Sequence, residues 1–412
     1  MFGIVRGLKP ACGLSLGFKI YCRSLGSAPP FDLDLDAQND KFSDLNNMYT
    51  EMFTNDGLEP SKLLTSSSKS ATHIYDSEVD ELNAEFTETY DFSPKIICGQ
   101  ELTKLVEAPG RFIIQSLSNN PYYNLAVEDY VFKNTPVVKG HTFLNERLLF
   151  YVNGKCAVIG KNQTPWKELF LQNCKSKGYR YVRRLSGGGA VVHDLGNVNY
   201  SYLTSRDAFQ REYFNQKIVG WLKEARPGTQ FDLNERGDIH LDGFKVSGSA
   251  FKIARGKSYH HGTMLVDSDL ASFRGLLKPA HIDNVSWSGG SVDSVRSRVK
   301  NIQGAGFKKT GDFIDICVQG FRTTLQEDVP LYLIDEEITQ TDAIMATTGH
   351  LASDEWLYDS GPKFVIALGR EKLSVEKGLI ADSTIPGLAG QHFTSFVESF
   401  NKGKFGDFDV NI

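Results

Sequence analysis

Residues 183–197 read RRLSGGGAVVHDLGN and follow the strand-like YRYV of residues 179–182. Three consecutive glycines, Gly187, Gly188 and Gly189, are costly to order, because glycine loses more backbone freedom on folding than any other residue. Such a stretch is expected where backbone must come close to something, and a ligand is the natural candidate; a flexible turn between two strands is the alternative. Glycine amides can donate to carboxylate or phosphate oxygens, and Arg183 or Arg184 beside them can neutralise the charge. The stretch has neither the GxxxxGKS or GxxxxGKT pattern of a phosphate loop nor GxGxxG ahead of a helix, so kinase and dinucleotide-binding readings fail. There is no GxSxG elbow either, and Ser186 lacks partners in the order Asp then His, which argues against a serine hydrolase.

Downstream, residues 238–266 read DIHLDGFKVSGSAFKIARGKSYHHGTMLV. Lys245 falls in a predicted strand directly before the small, turn-prone SGSA, where it can point into a cleft and hold an anionic oxygen; a solvated strand lysine is the ordinary alternative. His260 and His261 are adjacent, and neighbours on a strand face opposite sides, with no HExxH or carboxylate spacing around them, so a metal pair is not built there.

The flanking sequence gives the fold class. FIIQSLSN at residues 112–119 reads as a strand, and Asn120-Pro121 supplies a helix N-cap followed by proline at the first helical position. Tyr123, Ala126, Val127, Tyr130 and Val131 then repeat at helical spacing. LLFYV (148–152) and CAVIG (156–160) flank Asn153-Gly154-Lys155, which predicts a hairpin. A second hairpin is predicted from IHL and FKV around Asp242-Gly243, and Phe214, Ile218, Trp221 and Leu222 mark another amphipathic helix. Hairpins mixed with helices, without strict βαβ alternation, predict an α+β fold with a largely antiparallel mixed sheet and helices packed on it.

Length and composition agree with such a protein: 412 residues, 41% hydrophobic and 23% charged, predict two or three folded units, and no apolar run reaches the length of a membrane span. Charge is segregated. Residues 1–31 carry Arg6, Lys9, Lys19 and Arg23 and no acid, whereas residues 32–108 carry 17 acids and 5 bases. The overall net charge of −5 suits an acidic small molecule or an acidic protein partner better than a nucleic-acid backbone. The acid-free leader, residues 1–28, has the composition of a mitochondrial transit peptide, with no compact apolar run of the secretory type. The polar, acidic stretch 29–108 reads as a disordered extension. The six cysteines form no CxxC pair, which points to a reducing compartment, and Cys156 and Cys174 read as small buried hydrophobes.

Taken together, SLSNNPYYNLAVEDYVF, AVIGKNQTPWKE, RRLSGGGAVVHDLGN, DGFKVSGSAFK, HHGTMLV and SVRSRVKNI occur in the order and approximate spacing of the lipoate-protein ligase A family, which the chain resembles over about residues 110–390. With its leader it is most similar to the fungal mitochondrial members, including the lipoyltransferases. The resemblance implies a catalytic domain like those of biotin and lipoate ligases over residues 109–334, a small accessory domain over 335–412, and a location in the mitochondrial matrix. The implied activity is amide attachment of lipoate to a lysine of apo-lipoyl domains, in 2-oxoacid dehydrogenase complexes and the glycine-cleavage H protein. ATP with magnesium would first convert lipoate to lipoyl-adenylate; nucleic acid and membrane insertion have no part.

By the same resemblance, Arg184 and the Gly189-Ala190-Val191-Val192 backbone are nucleotide contacts. Lys245 is the catalytic residue reaching both acyl oxygen and phosphate, and Asp238 lies on the nucleotide side, with magnesium as a candidate ligand. Gly187, Gly188 and His193 shape the lipoyl pocket. Lys161 and Lys252 stand where arginines are common, and Gly237 where asparagine usually precedes the aspartate. Lysine lacks the planar fork that binds phosphate, which opens the alternative of ATP-independent lipoyl transfer between proteins. A non-catalytic lipoyl-binding or chaperoning protein is the further alternative.

Overall fold

A computed structural model describes residues 95–137, 143–279 and 281–401, all within one compact unit, Phe92–Ile412. The leader and residues 29–94 of the acidic extension lie outside the described residues. The remainder of that extension is not disordered: α1 (Gly99–Glu107) begins at Cys98, whose backbone N–H donates to Glu101, and it buries Leu102 and Val106 completely.

The main sheet has six strands in the order β10 (Ser249–Ala254), β11 (Lys257–Leu265), β6 (Asn197–Ser205), β2 (Arg147–Tyr151), β1 (Phe112–Ser116) and β13 (Leu331–Ile334). Pairing is antiparallel from β10 through β2, whereas β1 runs parallel to both β2 and β13. The sheet is covered on both faces, which is why β2 reads as a continuous apolar run rather than an alternating one. Ile113, Leu148, Phe150 and Tyr200 turn toward α5 (Tyr213–Ala225) and α6 (Thr310–Leu325). Phe112, Ile114 and Leu149 turn the other way, into a core shared with α1, α2 (Pro121–Asn134) and α7 (Asp342–Ala352).

Asn120 caps α2 as its sequence predicts, accepting from the Tyr122 N–H, with Pro121 in the first turn. The expected apolar positions are all buried, but so are Asn124, Glu128 and Asp129, so α2 is enclosed all round rather than along one stripe. The predicted hairpin across Asn153-Gly154 does not form. Both edges of β2 are taken by β1 and β6, and β3 (Cys156–Ile159) leaves for a second sheet, between β4 (Arg180–Arg183) and β5 (Val191–His193). Asn153 is fully buried and its amide is engaged with Asn124 and His193, so its turn chemistry is overridden by tertiary hydrogen bonds. The other hairpin does form: Asp242 (φ 51°) and Gly243 (φ 77°) join β8 (Ile239–Leu241) to β9 (Phe244–Lys245) in the left-handed geometry of a tight turn, with β7 (Phe231–Leu233) alongside β8.

Beyond the main core, an antiparallel sheet of β12 (Val285–Gly289), β14 (Phe364–Leu368), β15 (Glu371–Glu376) and β16 (Leu379–Ser383) packs on α8 (Phe393–Asn401). Its first strand precedes residue 335. Trp166, from the short helix α3 (Pro165–Glu168), inserts into this core, its ring centroid 4.9 Å from that of Phe393. No helix among the described residues is long and apolar enough to cross a membrane.

Arg147 is completely buried without a carboxylate partner; it lies over the Phe112 ring and donates to the carbonyls of Leu105, Val106 and Ala108 at the end of α1. Burial pushes its guanidinium down to about 10, which leaves it charged at neutral pH. Arg147→Leu strands these carbonyls, and a loss of about 2–4 kcal/mol is expected in urea unfolding followed by circular dichroism. Arg147→Lys should recover only part, because one ammonium cannot span all three acceptors. A wild-type midpoint for Arg147→Leu would remove this role.

Candidate active site

The glycine stretch leaves β4 and re-enters the fold at β5, and its path is set by close backbone packing. Gly188 has φ 93°, and a Cβ there would lie 2.8 Å from the Arg184 guanidinium. A Cβ on Gly160 would lie 2.1 Å from the Gly188 carbonyl oxygen. Glycine is therefore required at both positions by the approach of neighbouring groups.

The two arginines left open as alternatives have different jobs. Arg183 points away from the loop, donating to the carbonyls of Lys161, Gln163, Trp356 and Leu357, while the Trp356 indole N–H donates back to the Arg183 carbonyl. Arg184 turns into the loop and donates to the carbonyls of Gly187, Gly189 and Val158 and to Ser186 Oγ. Burial holds both near 10, so both carry charge at neutral pH.

Ser186 continues this network inward. Its Oγ is 2.7 Å from His261 Nε2, and His261 Nδ1 is 2.9 Å from Glu128 Oε1. A carboxylate accepts only, so His261 Nδ1 donates to Glu128, while Ser186 Oγ, which accepts from Arg184, meets Nε2 on the other side of the ring. The loop is thereby anchored to α2. His260 faces the opposite side, as strand alternation requires, with Nε2 2.9 Å from Ser249 Oγ and its ring near Tyr200, Phe214 and Phe251.

Beside the loop opens a cleft of about 180 Å³. Of the residues singled out in the sequence, Arg184, Gly188, Gly189, Ala190, Val191, His193, Asp238 and Lys245 line it. Gly187 and Val192 do not: Gly187 presents its carbonyl to Arg184, and Val192 packs behind β3 with Ala157 and Ile159. Lys245 is held on β9 between β8 and a backbone pairing with the 298–300 segment, and its ammonium meets Asp238 at 2.8 Å. Its side chain is 18% exposed, so it is neither a surface lysine nor a sealed one. Gly237, before that aspartate, has φ 74°, a conformation that suits glycine. Lys252 instead binds Asp129 at 2.8 Å and lies over the Phe132 ring, away from the cleft.

Sequence reasoning did not find Ser294. The 291–300 loop lies across the glycines, and Ser294 Oγ accepts from the Ala190 N–H at 2.7 Å while donating to Glu168 at 2.5 Å. Tyr151, Asn153, Asn199 and His261 were also missed; they line the inner cleft from three different segments, and only the fold shows that they converge. Among the described residues no thiol lines the cleft, and burial raises Cys156 well above its ordinary range, consistent with its reading as a core residue.

A cleft with a glycine loop, a cation–carboxylate pair and an interior where Leu125 and Val158 stand among Tyr151, Asn153 and His193 suits an acyl group that is activated and then transferred. The family model for the lipoyl protein ligase A/B catalytic domain matches residues 120–322. A Saccharomyces cerevisiae protein described as a putative lipoate-protein ligase A is 45% identical over 376 residues, covering 88% of this chain and 90% of the relative. The chain belongs to the lipoate-protein ligase A family. Membership makes it an enzyme of the ligase type. A human mitochondrial lipoyl amidotransferase is 33% identical, with 62% of this chain and 67% of the relative covered. The fold is similar to that of P. falciparum LipL1, solved in complex with lipoate, at a TM-score of 0.52 and 24% identity, covering 66% of this chain and 84% of that one.

Burial also makes the site acid-sensitive. His193 and His260 are both held down to about 3, chiefly by desolvation, so each is neutral when folded, whereas the unfolded chain takes up a proton below about pH 6.5. The stability they contribute is present above that pH and is lost as pH falls toward 3, by up to about 1.4 kcal/mol per unit for each. Urea midpoints should therefore drop from about pH 7 to about pH 5, and less steeply in His260→Gln. Parallel profiles for the two proteins would contradict a neutral, buried His260.

Proposed function

We propose that the protein attaches lipoate to a specific lysine of mitochondrial lipoyl domains, through ATP-dependent formation of lipoyl-adenylate. The pairing of Lys245 with Asp238 beside the glycine loop carries this reading. In the first step a carboxylate oxygen of lipoate attacks the α-phosphate of ATP and pyrophosphate leaves. In the second, the neutral acceptor lysine amine attacks the acyl carbon, an amide forms, AMP leaves with the electron pair of the broken anhydride bond, and the proton lost by the amine passes to water. Lys245 supplies positive charge where the acyl oxygen and phosphate become more negative. The amides of Gly189, Ala190 and Val191, which line the cleft, are the nucleotide side, and an approaching phosphate would take over the Ala190 N–H from Ser294. Arg184 shapes the loop that presents these donors. Gly188 and His193, which line the cleft, belong to the acyl side.

ATP enters as its magnesium salt, an ion commonly held by one or two carboxylates together with substrate phosphates, and Asp238 is the carboxylate at hand. Apo-lipoyl domains of 2-oxoacid dehydrogenase complexes and the H protein are the acceptors, and the matrix is the compartment. The sheet of β12 and β14 to β16, with α8 on it, acts as an accessory unit to the catalytic domain, so the accessory part takes in β12 from before residue 335 and leaves α7 with the main core. The likeness to a human mitochondrial amidotransferase supports the compartment and also keeps a second reading, transfer from a lipoylated protein without ATP.

Purified protein with lipoate, magnesium, ATP and an apo-lipoyl domain should add one lipoyl group to the acceptor, visible by intact mass. A gain seen only with lipoylated H protein as donor would establish the second reading, and no gain from either donor would leave a binding protein. Lys245→Ala should lower transfer by about 100-fold, or about 3 kcal/mol, with little change in melting. Lys245→Arg keeps the charge but alters reach and donor geometry, so it should also be impaired.

A further inference from the structure

Among the described residues, three lysine and arginine side chains line the cleft, and two of them are already committed. Arg184 spends its guanidinium on the carbonyls of the glycine loop, and Lys245 meets Asp238 at 2.8 Å. The third, Arg236, is exposed, and its guanidinium has no carboxylate or hydrogen-bond acceptor among the described residues. Its backbone, by contrast, is firmly held. Arg236 lies in the turn between β7 and β8, where Asn234 Oδ1 accepts from the Arg236 N–H at 3.0 Å and from the Asp238 N–H at 2.9 Å. From the core side, fully buried Asn215 donates to the Gly237 carbonyl at 2.7 Å, while its Oδ1 accepts from the Tyr200 hydroxyl at 2.6 Å. The two side chains that this turn offers to the cleft are Arg236 and Asp238. A fixed backbone presents a free cation at little further cost in ordering.

The direction of the first chemical step gives that cation a task. Displacement at phosphorus places the attacking and leaving oxygens roughly in line, on opposite sides. The acyl tail takes the inner end of the cleft, where Leu125, Tyr151 and Val158 are buried, so its carboxylate approaches the α-phosphorus from within. As the new oxygen–phosphorus bond forms, the bond from the α-phosphorus to the oxygen bridging to the β-phosphate breaks on the outer side, and pyrophosphate takes its electron pair. Arg236 stands exposed at that outer end, two residues from the Asp238 that meets Lys245. Its planar fork matches phosphate oxygens and attracts the leaving group more strongly as charge gathers there. We propose that Arg236 holds the β- and γ-phosphates of ATP and stabilises the departing pyrophosphate, acting in adenylate formation and not in acyl transfer. The proposal rests on the ATP-dependent reading. Contact with water keeps the grip weak enough for pyrophosphate to leave.

Isothermal titration of the full chain with ATP and with AMP, magnesium present, tests this without requiring turnover. Arg236→Ala should weaken ATP on the order of 10- to 100-fold and leave AMP, which lacks both outer phosphates, bound as in the wild type. Arg236→Lys keeps the charge without the fork and should recover only part of the loss. In turnover, lipoate-dependent exchange of labelled pyrophosphate into ATP should fall by a similar factor in Arg236→Ala. Transfer from preformed lipoyl-adenylate to an apo-lipoyl domain should fall little, which also shows that the variant folds. Wild-type ATP affinity and exchange in Arg236→Ala, or an equal loss for ATP and AMP, would overturn the proposal and leave lipoate ligation standing. So would a loss confined to transfer from the adenylate, which would place Arg236 against the acceptor protein instead. A wild type that neither binds ATP nor exchanges pyrophosphate would overturn the ATP-dependent reading as well.

Discussion

Two neighbouring guanidiniums, Arg183 and Arg184, are withdrawn from water with no carboxylate in contact, and the geometry of the site follows from how they are satisfied. A buried cation is tolerated only if its donors find acceptors, and here these are mostly backbone carbonyls. Arg183 gathers the 161–163 loop and the 356–357 segment; Arg184 gathers the glycine loop itself. One at the end of β4 and the other just past it, they face in opposite directions. One holds the outer frame of the site and the other curls the loop inside it.

The same device recurs elsewhere. Arg147 closes the end of α1, Lys257 donates to Lys133 and Thr135 at the end of α2, and Lys278 donates to Trp166 in α3. In each case a buried cation meets the carbonyls that a terminating helix leaves unpaired, where the helix dipole also favours positive charge. Desolvation lowers Lys257 and Lys278 only to about 8, so both remain largely charged at neutral pH. Because these cations bind carbonyls rather than carboxylates, the acidic groups near the cleft are left for other tasks: Glu128 orients His261, Glu168 holds Ser294, and Asp238 accompanies Lys245.

Much of the frame was legible along the chain because it depends on neighbours in sequence. The Asn120-Pro121 start of α2, the Asp242-Gly243 turn and the buried face of α5 are local geometries set by a cap, two left-handed residues and a helical period. The hairpin expected at Asn153-Gly154 shows the limit of that reasoning. Its turn residues are sound, but the strands on either side find better partners in two different sheets, and the Asn153 side chain is worth more as a link between Asn124 and His193. Of the stretch 29–108 only residues 95–108 are described, and there α1, which carries too little apolar surface to stand alone, is ordered by the core and by Arg147.

Residue types at fixed spacing carry the family resemblance and the glycine loop, and it is through that resemblance that Lys245 stands out among the cations. Tertiary structure alone decided which of Arg183 and Arg184 enters the loop, which of His260 and His261 faces the cleft, and that Ser294 caps the Ala190 amide across 104 positions of chain. Those choices turn on which way a side chain faces and on what packs against it from a distant segment, and neither quantity is a property of local sequence.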